Sequence, residues 1–82
     1  MHSFEYLPSF KEDYAQLDNS VQKIIDKRVD KIKAQPQLGK PLGKDMFVEK
    51  FDGWRITYFI MNDVIVFSRI RRRDVVYKRG WG

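Results

Sequence analysis

The residues of this chain best equipped for chemistry are its arginines and lysines, and they are unevenly placed. Residues 69–79 read Arg-Ile-Arg-Arg-Arg-Asp-Val-Val-Tyr-Lys-Arg and hold six of the sixteen Lys and Arg but one of the eleven Asp and Glu. That stretch carries +5 and the remaining residues balance at ten against ten, so its local charge equals the net charge of the chain. A charge this local is an electrostatic footprint whose natural partner is a polyanion, either nucleic acid or an acidic protein segment. On this reading Arg69, Arg71, Arg72, Lys78 and Arg79 contact backbone phosphates. Such contacts position a nucleic acid without themselves doing chemistry. A solvated basic tail is the plainer alternative for the same run.

Composition removes other chemistries. There is no cysteine, which excludes disulfides, Cys-based zinc sites and a thiol nucleophile. One histidine, His2, and no acidic cluster give no basis for a metal site, and no cofactor motif is present. His2 reads as an incidental terminal residue. No apolar run approaches the roughly 20 residues of a membrane span, and residues 1–20 lack the apolar core of a signal peptide. A soluble, cytoplasmic protein with no membrane partner is expected. Eighty-two residues make one domain, 1–82, with one small core, and the 15% aromatic content supplies bulky side chains to fill it.

The elements that must position the cations can be read in order. Residues 3–7 alternate weakly and form a short strand. Ser9-Phe10-Lys11-Glu12 has the spacing of a capping box for a short helix to about Leu17. Asn19 is placed to cap a second helix over roughly 20–34, whose Val21, Ile24, Ile25, Val29 and Ile32 make one apolar stripe. Lys23, Asp26, Lys27, Asp30, Lys31 and Lys33 form its solvated side. Pro36, Gly39, Pro41 and Gly43 mark a loop. Beyond Met46 the apolar period becomes that of strands. Asp52-Gly53 and Asn62-Asp63 are two-residue hairpin signals, which predict strands at about 46–51, 54–61 and 64–70 and a short one near 75–78. The fold class is therefore α+β, an N-terminal short strand and helical hairpin packed on a twisted antiparallel β-meander.

Register follows from the turns, because the residues flanking a two-residue turn pair. Phe51 then faces Trp54 and Lys50 faces Arg55; Met61 faces Val64, Phe59 faces Val66 and Thr57 faces Ser68. Phe47, Phe51, Trp54, Ile56, Tyr58, Ile60, Ile65 and Phe67 share the face that the helices must cover. Lys50, Arg55, Thr57 and Ser68 share the other face with Phe59, Met61, Val64 and Val66. Opposed cations repel at a cost of about a few tenths of a kcal/mol. An anion is the natural ligand of that end; the alternative is that Arg55 neutralises Glu49 or Asp52. Tyr58 and Trp54 read as core by this register.

Gly39-Lys40-Pro41-Leu42, Lys50-x4-Arg55-Ile-x-Tyr58, Val64-Ile-Val-Phe67 and Ile70-Arg-Arg-Arg-Asp-Val-Val-Tyr77 follow in an order that resembles the RelE/ParE superfamily of type II toxins, with the RelE-like branch favoured. The resemblance covers nearly the whole chain. It implies two helices on a twisted antiparallel sheet and two functional branches. RelE-like members cleave mRNA in the ribosomal A site, and ParE-like members bind DNA gyrase. Both are neutralised by a cognate antitoxin that wraps the toxin, which implies a toxin–antitoxin hetero-oligomer. Carried over position by position, the resemblance implies a catalytic set of Lys50, Arg55, Arg73 and Tyr77. Val48, two residues before Lys50, falls where active members often have a second basic residue, and the departure removes one phosphate-stabilising charge.

Metal-independent cleavage of RNA uses the 2′-hydroxyl as an internal nucleophile. The site must take up that proton, stabilise a dianionic phosphorane and protonate the 5′-oxygen. Lys and Arg supply the electrostatic part. A Lys or Tyr with a pKa lowered by neighbouring cations can act as base, whereas Arg stays charged. Tyr77 has a plainer reading as a packing aromatic at the end of the sheet; Trp54 and Trp81 are candidates to stack on bases, with core packing the plainer reading of Trp54. The expected activity is a ribosome-dependent mRNA endoribonuclease, with ParE-like inhibition of gyrase and a basic nucleic-acid-binding domain without toxin activity as alternatives. Arg73 is expected to converge with Lys50 and Arg55 on one phosphate.

Overall fold

The computed structural model describes residues 3–72. Its elements are β1 (Ser3–Tyr6), α1 (Pro8–Ala15), α2 (Asn19–Ala34), a 3-10 turn (Pro36–Leu38), β2 (Lys40–Pro41), β3 (Met46–Phe51), β4 (Trp54–Met61) and β5 (Val64–Arg72). The five strands form one sheet in the order β1-β5-β4-β3-β2. The meander is antiparallel, and β1 joins it parallel to β5.

Both hairpins form where the dipeptides place them. Asp52 and Gly53 have φ of 45° and 80°, and Asn62 and Asp63 have 51° and 65°, the left-handed backbone that a type I′ turn requires. The helix starts differ from expectation. Pro8 takes the first position of α1, with its fixed φ suited to that place, and the preceding Leu7 gives no side-chain cap. The capping box does not form, because the Ser9 hydroxyl donates instead to the Ser68 carbonyl at 2.7 Å. On α2 the cap is Asp18, not Asn19. Its carboxylate accepts from the Val21 amide at 3.1 Å and from the Ser20 hydroxyl, which together hold its pKa below the ordinary value.

The two helices cover one face of the sheet. Phe10 of α1 and Ile25, Val29 and Ile32 of α2 pack with Phe51, Ile56, Tyr58, Ile65, Phe67 and Ile70. At the centre Tyr58 is fully buried, and its hydroxyl donates to the Pro36 carbonyl at 2.7 Å. Burial, with the nearby Glu49 carboxylate adding to it, pushes the phenol up to about 12. A β-carbon at Gly39 would overlap that hydroxyl, so the glycine and the phenol are matched.

Register agrees with expectation at Phe51–Trp54, Lys50–Arg55, Met61–Val64 and Phe59–Val66. It departs at Thr57, which faces Arg69 and not Ser68, because a β-bulge lies between Thr57 and Tyr58 in the β4–β5 ladder. The extra residue reverses the phase of the far half of β5. Without it Ile70 would point away from the helices; with it Ile70 is buried in the core. The sequence does carry this signal. Apolar residues at 65, 67 and 70 break strict alternation by one position, which only an inserted residue reconciles with a single buried face.

Candidate functional site

The bulge decides which cations meet. Lys50 of β3 pairs with Arg55 of β4, and Arg55 pairs in turn with Arg71 of β5. The three form a transverse row on the face away from the helices, since their strand neighbours Ile56 and Ile70 lie in the core. Directly opposed residues have Cβ atoms about 5 Å apart, within the span of one phosphate group contacted by several side chains. Among the described residues no carboxylate lies within ion-pair distance of Lys50, Arg55 or Arg71. Arg55 Nε is buried and has no hydrogen-bond partner among the described residues.

Glu49, the acid considered as a partner for Arg55, is on the opposite face. Its carboxylate accepts from Arg28 Nη1 at 3.1 Å and from Lys31 Nζ at 3.2 Å, so α2 neutralises it. That leaves the row without an internal counter-charge from this strand.

The other basic candidates separate. Arg69 makes a two-point bond with Asp13 of α1, Nε at 3.0 Å and Nη2 at 3.2 Å, so its charge is locally balanced. Arg72 pairs with Trp54 on the helix side, its guanidinium 5.4 Å from the indole centroid. Of the consecutive arginines 71 and 72, only Arg71 is therefore in the row. Arg73, Tyr77, Lys78 and Arg79 lie outside the described residues, as do His2, Trp81 and the short strand expected near 75–78.

One cation was missed by sequence reasoning. Lys40 of β2 pairs with Val48 of β3 and so shares the face of the row, one pair along the sheet from Lys50. It is exposed. Its surroundings read as an irregular Pro/Gly loop, and a two-residue strand has too few positions for alternation to reveal.

Beside the basic end the same face is apolar, with Met46, Phe59 and Val66 half-buried and Met61 50% exposed. No described helix covers it. A mostly apolar cavity of about 300 Å3 lies elsewhere, against the helices, lined by Tyr6, Phe10, Tyr14 and Val29 with Lys11 and Asp26. It lies on the helix side of the sheet, the face opposite the row. Among the described residues no group of three or more His, Cys, Asp or Glu could hold a metal ion. No helix there is long and apolar enough to cross a membrane.

A helical hairpin on one face of a five-stranded sheet, with a row of cations on the other face that has no carboxylate partner among the described residues, defines a small basic α+β protein. Comparison with known proteins narrows the class. The sequence matches the family described as the ParE toxin of type II toxin–antitoxin systems, parDE, over residues 4–77. The chain belongs to this family of type II toxins. Its fold is that of solved RelE structures. The isolated E. coli RelE toxin superposes with a TM-score of 0.77 at 17% identity, covering 99% of this chain and 96% of that one. The toxin of the Mycobacterium tuberculosis RelBE2 complex gives 0.76 at 18% identity, covering 88% and 98%. The intact E. coli RelBE complex gives 0.75 at 15% identity, covering 88% and 96%. No match was found among curated protein sequences.

Proposed function

We propose that this toxin binds RNA through the sheet face that bears the cationic row and cleaves mRNA on the ribosome. The observation that carries the reading is the row Lys50–Arg55–Arg71, in which, among the described residues, no cation has a carboxylate partner and the buried Arg55 Nε has no acceptor. A buried donor left without an acceptor costs about 1–3 kcal/mol, and a phosphate oxygen would supply one. Lys50 and Arg55 would stabilise the phosphorane as the 2′-oxygen attacks phosphorus and the 5′-oxygen leaves. Arg73 would add to that charge, and Tyr77 would exchange the proton or stack on a base. Arg71, Lys78 and Arg79 would hold flanking phosphates, and Lys40 extends the same face, whereas Arg72 lies against Trp54 on the helix side. Arg69, already bonded to Asp13, would contribute least.

A cognate antitoxin is the proposed partner in the cytoplasm, in a hetero-oligomer. The apolar strip of Phe59, Met61 and Val66 beside a basic row suits a segment both acidic and amphipathic, and the RelE toxins of similar fold are found in complex with RelB antitoxins.

A second reading has its own support. The family that matches is ParE, and Val48 leaves the strand before Lys50 one cation short. On that reading the same face binds DNA gyrase without catalysis. Induction of the chain in cells, with labelled amino acid and thymidine followed together, separates the two. Early loss of amino-acid incorporation is expected; early loss of thymidine incorporation would replace the ribosome with gyrase.

A further inference from the structure

β1 pairs with β5 only as far as Tyr6 opposite Phe67. Beyond Phe67 the outer edge of β5 would present bare backbone groups, and this is also where the bulge lies. The chain closes that edge with α1. The Leu7 amide donates to the Phe67 carbonyl at 3.0 Å, and the Ser9 hydroxyl donates to the Ser68 carbonyl at 2.7 Å. One turn on, the Asp13 carboxylate accepts from the Ile70 amide at 2.9 Å while it also holds the Arg69 guanidinium. A helix side chain thus completes the hydrogen bonding of a strand on the bulge's C-terminal side. The Asp13 side chain is only 17% exposed, so these bonds are partly shielded from water.

The phase of β5 depends on that arrangement. In step with Met61–Val64 and Tyr58–Phe67, the straight register would set Ile70 opposite Arg55 and Arg71 opposite Trp54, on the helix side. The bulged register sets Arg71 opposite Arg55. We propose that Asp13 is a positioning residue for the cationic row: by pinning Ile70 and Arg69 it holds the bulge that brings Arg71 to Arg55 and Lys50. The part of this that concerns RNA rests on the function proposed above; the part that concerns register does not.

The test uses the full chain with Asp13→Ala. Because loss of Asp13 frees a guanidinium, binding is compared in an Arg69→Ala background, with and without the second change. Two readouts are taken: cross-strand proton–proton contacts between β4 and β5 by NMR, and the salt dependence of binding to a short single-stranded RNA. The expected result is a shift of contacts from the Arg55–Arg71 pair towards Arg55–Ile70. The slope of log K against log salt should fall by about 0.7, the share of one phosphate contact on a single strand. Val29→Ala, which loosens the core away from the bulge, should move neither readout. Retention of the Arg55–Arg71 contacts after Asp13→Ala would overturn the proposal, since Ile70 burial alone would then be fixing the phase. If contacts shift but Arg71→Ala leaves RNA binding and its slope untouched, Asp13 sets the register and the RNA reading of the row is what fails.

Discussion

Arg55 is the residue where structural cost and proposed function meet. It faces a cation on either side and keeps a buried nitrogen with no acceptor among the described residues. On the function proposed above, a bound phosphate would relieve both. Arg73→Ala and Tyr77→Phe test the chemistry attached to it. Arg73→Ala should weaken cleavage by an amount comparable to one lost oxyanion-hole donor, about 2.7–4 kcal/mol. Tyr77→Phe should abolish cleavage if the hydroxyl moves a proton and preserve it if the ring stacks. Cleavage of ribosome-bound mRNA at the parent rate by both variants would remove the catalytic assignment and leave binding alone. Tyr58 makes a different prediction. Its folded phenol, at about 12, lies above the ordinary value of 10.0, so the native state binds its proton more tightly than the unfolded chain. The resulting stability is present below pH 10 and is lost as pH rises from 10 to 12. Tyr58→Phe should flatten the fall in stability across that window, as measured by denaturant midpoints. An unchanged slope would mean that other groups dominate there.

At the scale of elements, α2 should be the main clamp on the sheet. Ile25 is fully buried against it, and Ile25→Ala should cost about 2–4 kcal/mol in unfolding free energy. A change near zero would mean that the helix repacks without it. The elements themselves were legible wherever one local rule governed them. Asp52-Gly53 and Asn62-Asp63 announced their turns because their backbone needs positive φ. The stripe Val21–Ile32 announced α2 because one face had to be buried. Legibility failed where a residue answers to a distant partner. Ser9 has the spacing of a cap, yet its hydroxyl bonds a carbonyl 59 residues away. The pairing of β1 with β5 depends on a contact across the whole described chain, and no local pattern encodes it. Within the site, Lys50 and Arg55 were found together because a tight turn fixes their register. Arg71 was assigned only as a phosphate contact, since its position in the row depends on the bulge.

For the molecule as a whole, the charge distribution sets how it meets a partner. With about three row cations on phosphates, binding to single-stranded RNA should follow a log–log salt slope near −2. Antitoxin binding should weaken with salt yet persist in part, because Phe59, Met61 and Val66 bury apolar area that salt does not screen. An antitoxin affinity unchanged from low to high salt would exclude the basic row from that interface. The strand order adds a constraint in time. β1, made before the other four strands of the sheet, has only β5 for a neighbour; Tyr6 stacks on Phe67 and the Phe10 ring packs tilted against it. During synthesis the helical hairpin therefore emerges without the strand that anchors it, and the core cannot close until β5 has been made. Closure of the core therefore waits on β5, and the pairing of Arg71 with Arg55 forms in the same step.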